Sequence, residues 1–195
     1  CNSFWNTAFP LFETQPFLAD LKPFALTDQA SHQFDVLRYL FGEAETIFTQ
    51  IQTVNPTIKG EDVATSMLRM KNGMVCIQQI SFSSPLEKEV FPQVLLVVEG
   101  DRGSVRLDPG YNFAITSGNK TTYESMTMQK YDWQTERLEP EPPAIVACNN
   151  DILQDLLENT KAETSAEDNF ETVRLVWAAY ESANSGKNVV IKNMV

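Results

Sequence analysis

After Gly42 the spacing of the apolar residues switches to two, and this block of alternating segments restricts the chain to folds built around a sheet. Ile47, Thr49, Ile51 and Thr53 alternate with polar neighbours, as a half-buried strand requires. The runs Asp62 to Met70 and Met74 to Ser83 flank Lys71-Asn72-Gly73, and Asn-Gly between two such runs predicts a hairpin. Gln93 to Glu99 is an apolar run predicting a strand buried on both faces. It is followed by the turn Gly100-Asp101-Arg102-Gly103, whose glycines suit a tight turn, and by a short strand, Ser104 to Asp108. Tyr111 to Thr116 and Thr121 to Gln129 predict one more hairpin around Gly118-Asn119.

Helical spacing brackets this block. Ala30, Phe34, Leu37, Leu40 and Phe41 predict a helix from Asp28 that stops at Gly42. Beyond Pro142-Pro143, an apolar stripe of Ile145, Cys148, Ile152, Leu156 and Leu157 predicts a second helix facing the core. A third opens at Thr164-Ser165-Ala166-Glu167, which has capping-box spacing, and ends at Gly186; Phe170, Val173, Val176, Trp177, Tyr180 and Ala183 are its expected buried face. Asn188 to Lys192 reads as a last strand. Residues 1 to 27 are aromatic and interrupted by Pro10, Pro16 and Pro23, which predicts a winding lead-in holding one short helix. The expected organisation is a lead-in over 1–23 and one α+β domain over 24–195, a large, mostly antiparallel open sheet with helices packed on one face.

Composition removes several function classes. The 195 residues carry a net charge of −11, a balance that repels phosphate backbones and anionic membrane surfaces. No nucleic-acid or membrane partner is expected, and no apolar run approaches the length of a span. Cys1, Cys76 and Cys148 are odd in number, widely spaced and accompanied by a single histidine, which argues against a disulfide framework or a zinc site and for a reducing, cytoplasmic setting. No metal is expected. There is no G-x-G, no phosphate loop and no G-x-S-x-G elbow. Glu61-Asp62 reads as a pair of solvated carboxylates at a strand start. The chain opens on Cys1 rather than Met, and a piece is expected to be missing from its front.

The only histidine lies on the helix expected from Asp28. At about 100° per residue, Asp28, His32 and Asp35 share one stripe, on which Tyr39 also falls. A carboxylate one turn from an imidazole can orient it and stabilise the imidazolium formed when it accepts a proton, which is what a general base needs. The same residues also suit a helix cap, a surface or core histidine and a solvated acid, and spacing does not choose between these readings.

The segment Thr27-Asp28-Gln29-Ala30-Ser31-His32-Gln33-Phe34-Asp35 resembles the D-x-x-x-H-x-x-D segment that opens the C-terminal domain of the Gfo/Idh/MocA oxidoreductases. Gly60-Glu61-Asp62, Lys71-Asn72-Gly73, Glu99-Gly100-Asp101-Arg102-Gly103-Ser104, Ser165-Ala166-Glu167-Asp168-Asn169 and Ala178-Ala179-Tyr180-Glu181-Ser182-Ala183 resemble that domain in its order, so the likeness spans about residues 24 to 192. It implies a dihydrodipicolinate-reductase-like α+β fold that supplies the substrate side of a dehydrogenase acting on a sugar, polyol or similar hydroxyl compound. NAD or NADP would be bound mainly by an N-terminal Rossmann domain that this chain lacks. Asp28 and His32 match the family's catalytic positions, and Asp35 is assigned to support them. The family's Glu-Lys-Pro lysine has no counterpart, since Glu87-Lys88-Glu89 lacks the proline. Oxidising a secondary alcohol requires removing the hydroxyl proton as hydride leaves carbon, which suits His32 as base and Asp28 as its orienter or as a hydrogen-bond acceptor for the substrate. The isolated chain is expected to be catalytically silent. The competing expectation is a non-catalytic binding or dimerisation module, and either reading expects a homo-oligomer formed through the open sheet.

Overall fold

The computed structural model describes residues 1–91, 93–126, 130–133 and 141–191. The strands are β1 Asn2–Asn6, β2 Ala44–Gln52, β3 Val63–Met70, β4 Val75–Ser81, β5 Leu95–Gly100, β6 Gly103–Asp108, β7 Asn112–Ser117, β8 Lys120–Ser125 and β9 Val189–Val190. They form one sheet in the order β8-β7-β6-β5-β1-β4-β3-β2-β9. The helices are α1 Leu11–Thr14, α2 Ser31–Phe41, α3 Glu141–Glu158 and α4 Ala166–Ser185, with a 3₁₀ turn at Pro16–Asp20 and a π-turn at Leu26–Ala30. The fold is α+β.

The hairpins stand where their turn residues place them. Val63–Met70 pairs antiparallel with Val75–Ser81 across Lys71-Asn72-Gly73, and β5 pairs with β6 across Gly100 and Gly103. Gly103 has φ +153°, and a Cβ there would lie 2.0 Å from the Thr116 carbonyl oxygen on β7, so this turn requires glycine. Residues 127–129 of the expected last hairpin strand, and Lys192, lie outside the described residues.

Residues 2–6 differ from expectation. They are a strand near the middle of the sheet, parallel to β4 and antiparallel to β5. The polar composition of Asn2-Ser3-Phe4-Trp5-Asn6 conceals a strand whose inward positions are Ser3 and Trp5. Trp5 is 1% exposed and meets Phe82 edge-on at 4.7 Å, while Ser3 accepts a hydrogen bond from Gln33. The sheet is therefore mixed, with one parallel pair. β5 is half-buried along Leu95 to Val98 rather than enclosed on both sides.

The core lies between one face of the sheet and the helices. Ile47, Ala64, Leu68, Met70, Cys76 and Ile80 meet Phe34 and Leu37 of α2 and Leu175, Val176 and Ala179 of α4. The buried face of α4 runs through Thr172, Leu175, Val176, Ala179 and Ser182, whereas Phe170, Val173 and Trp177 face outward. The hydroxyls take inward places because they have partners: Thr172 bonds Asp35, and Ser182 bonds the Thr49 amide and the Lys187 carbonyl. The cap of α4 also sits one residue later than the capping-box spacing predicts. Ser165 accepts from the Asp168 amide, leaving the Asp168 carboxylate for Arg38. On α3 the stripe of Ile145, Ile152, Leu156 and Leu157 is exposed instead of facing the core. No described helix is long and apolar enough to cross a membrane.

Candidate active site

The helix expected to begin at Asp28 begins instead at Ser31, and Asp28 lies inside the π-turn that leads into it. Asp28 is therefore no helix cap; its amide donates to the Phe24 carbonyl at 2.8 Å. Its side chain is half-buried. Burial holds the carboxyl above its ordinary pKa, and the charge of His32 pulls in the opposite direction. The two side chains thus interact electrostatically across one turn. His32 itself is exposed in the first turn of α2.

Asp35 takes another direction. It accepts from the Thr172 hydroxyl at 2.7 Å and lies 3.5 Å from Arg38, so its polar contacts belong to the seam between α2 and α4 and not to the imidazole. The centre of that seam is Arg38, whose side chain is 5% exposed. It donates to both Glu43 oxygens, to both Asp168 oxygens and to Thr172. Burial would depress the guanidinium pKa, but the bonds to Glu43 and Asp168 more than reverse this, so it stays charged. A cleft of about 440 Å³ lies here, lined by Asp35, Tyr39, Glu43 and Asp168 among others. His32, one turn before Asp35 and Val36 on the same helix, is not among the residues lining it.

Glu61 and Asp62 are enclosed, at 4% and 0% exposure, contrary to the expectation of solvated carboxylates. Asp62 accepts from the amides of Val54 and Asn55 and from Ser83. Glu61 accepts from the amides of Phe24 and Leu26, at the start of the turn that carries Asp28. The signal for this contact is a vacancy in the sequence: Pro23-Phe24-Ala25 offers no capping side chain to a helical segment, so its leading N–H groups need an acceptor from elsewhere.

Among the described residues no group of three His, Cys, Asp or Glu side chains is gathered to hold a metal. The residues around His32 do not suit a dinucleotide either. The sequence has no G-x-G to bring backbone amides against a pyrophosphate, and Asp28, which interacts electrostatically with the imidazole, is an acid.

A mixed nine-stranded sheet packed on helices is a fold this chain shares with oxidoreductases of known structure. The model of the GFO/IDH/MocA C-terminal domain matches residues 5–106, just over half of the chain, and the chain belongs to that family. It is 34% identical over 191 residues to a D-apiose dehydrogenase from Rhizobium rhizogenes, covering 98% of this chain and 55% of the relative. It is 31% identical to a D-apiose dehydrogenase from Paraburkholderia graminis, over 97% of this chain and 51% of the relative. The chain thus spans about half the length of the curated relatives it matches. A crystal structure of an oxidoreductase from Agrobacterium radiobacter, in complex with NAD+, L-tartaric acid and magnesium, superposes with TM-score 0.93 at 33% identity, covering 97% of this chain and 56% of that one. A levoglucosan dehydrogenase in complex with NADH and levoglucosan shares the fold, with TM-score 0.76 at 16% identity over 99% of this chain and 58% of that one.

Proposed function

We propose that this chain is the substrate-side domain of an NAD(P)-dependent dehydrogenase acting on a sugar or related hydroxyl compound, with an apiose-like aldose the first candidate. The observation that carries the reading is the electrostatic pairing of half-buried Asp28 with His32, which the described residues leave exposed. The likeness to two D-apiose dehydrogenases supports the substrate class. His32 accepts the proton from the substrate hydroxyl oxygen, and Asp28 stabilises the resulting imidazolium. Water is excluded only when a second, nucleotide-carrying half closes over the imidazole.

The same reading places NAD or NADP mainly on that other half and takes residues 24–195 together with the lead-in as one domain, because β1 joins β5 to β4 in mid-sheet. It places the protein in the cytoplasm, in keeping with its three free cysteines. Met67, Val75 and Ile77 stand exposed on the sheet face opposite the helices, and a second copy of the domain docks there. Equilibrium sedimentation is expected to give a dimer, and a monomer at tens of micromolar would refute that docking.

The direct test joins this chain to the dinucleotide-binding half of the R. rhizogenes relative and supplies NAD with D-apiose and a panel of aldoses and polyols. Reduction of NAD by at least one of them is the expected result. A folded, NAD-binding fusion that oxidises none would overturn the proposal.

A further inference from the structure

The turn that carries Asp28 has an anchor of its own. Leu26–Ala30 is a π-turn, wider than the α-helix it leads into, and such turns persist where surrounding contacts hold them. No side chain caps its start. The Phe24 and Leu26 amides donate instead to Glu61 Oε1, at 3.2 and 3.1 Å, and the Ala25 amide donates to the Glu61 carbonyl at 3.2 Å. The same Oε1 accepts a short hydrogen bond from the Tyr180 hydroxyl on α4. Burial first, and then Glu61, push the Tyr180 phenol well above its ordinary pKa, so it remains a donor. Gly60 allows this approach, since a Cβ there would lie 2.6 Å from the Leu21 carbonyl oxygen and 2.8 Å from Phe24 Cβ.

We infer that Glu61 is a positioning residue: its carboxylate, steadied by the Tyr180 hydroxyl, holds the π-turn Leu26–Ala30 and so sets where the Asp28 carboxyl stands relative to the His32 imidazole. The inference rests on the reading of Asp28 and His32 as the working pair. Relaxation of the turn to α geometry would rotate Asp28 about the helix axis and carry it out of its half-buried place. The groups that face the turn are few. His32 comes from α2, Tyr180 from α4 and Glu61 from the loop before β3, while β4, Val75-Cys76-Ile77-Gln78-Gln79-Ile80-Ser81, brings no charged side chain.

The test follows the Asp28 side-chain carboxyl carbon by NMR against pH in the 195-residue chain, with thermal melts alongside. Glu61→Gln is expected to bring the Asp28 midpoint down by ~0.5 pH unit or more as the carboxyl regains water. Tyr180→Phe keeps the ring and the Glu61 charge, so a smaller fall in the same direction reports geometry and not a lost charge. An Asp28 midpoint that stays in place in both variants while melting falls would show a purely structural role and overturn the inference. If Glu61→Gln fails to fold, Tyr180→Phe decides by the same criterion. No turnover is measured here. A fused enzyme indifferent to His32→Asn would therefore refute the proposed function and leave the titration result standing.

Discussion

Replacing Arg38 with Met tests whether the seam between α2 and α4 is held by charge. The guanidinium is 5% exposed and makes bonds to Glu43, Asp168 and Thr172 as short as 2.9, 3.0 and 2.7 Å. Breaking a buried ion pair costs about 3–5 kcal/mol when the abandoned partner stays buried. Here the carboxylates of Asp35, Glu43 and Asp168 are 43%, 41% and 47% exposed and regain water once the cation is gone. Thr172 also keeps Asp35 as its acceptor. The expected cost therefore falls at the lower end, about 3 kcal/mol. For a domain of this size that is a fall in Tm of roughly 6–12 °C. Calorimetric melts of the parent, Arg38→Met and Arg38→Lys measure it directly. The lysine variant is expected to recover less than half of the loss, because an ammonium cannot reach Glu43 and Asp168 with a fork of donors. A fall under about 3 °C for Arg38→Met would show that the desolvation of the guanidinium cancels its bonds, and the reasoning about this seam would fail.

Three further outcomes follow from the same geometry. Asp28→Asn is expected to raise Tm at neutral pH while removing the partner of His32. The folded pKa of Asp28 is raised by burial, so its stability contribution is present below the unfolded value of 3.8 and is lost as pH rises through the folded value; the gain over the parent in urea melts should vanish in acid. Gly60→Ala forces a Cβ to within 2.6 Å of the Leu21 carbonyl oxygen and is expected to cost about 1–3 kcal/mol by denaturant unfolding, with no cost if the 21–24 segment can yield freely. Trp5→Ala empties a site that is 1% exposed and is expected to cost about 3–5 kcal/mol; a loss below about 1 kcal/mol would mean that β1 is not a core strand.

The elements that could be read from the sequence are those whose chemistry is local. Lys71-Asn72-Gly73, Gly100 to Gly103 and the alternation through Ile47 and Thr49 state their turns and faces within a few residues. So does Gly42, which closes α2 with φ +83°. What escaped depends on partners distant in sequence. Ser3 and Gln33 are buried because they bond each other across 30 residues, so the sequence of residues 1–27 reads as a winding lead-in with one short helix and not as a core strand. The inward face of α4 contains Thr172 and Ser182 because Asp35, Arg38 and the Thr49 amide receive them, and hydrophobicity alone pointed to Trp177. Of the candidate pair, the placing of Asp28 and His32 one turn apart was legible from their spacing, and their proposed roles come from the resemblance. The redirection of Asp35 to the seam and the enclosure of Glu61 were not, since each follows from a tertiary contact more than 30 residues away.

The proposed dehydrogenase activity depends most on His32. In the fusion of this chain with a dinucleotide-binding half, kcat for aldose oxidation should fall about 10²–10⁴-fold in His32→Asn, with the Kd for NAD unchanged. A kcat within about twofold of the parent, at equal NAD affinity, would contradict it.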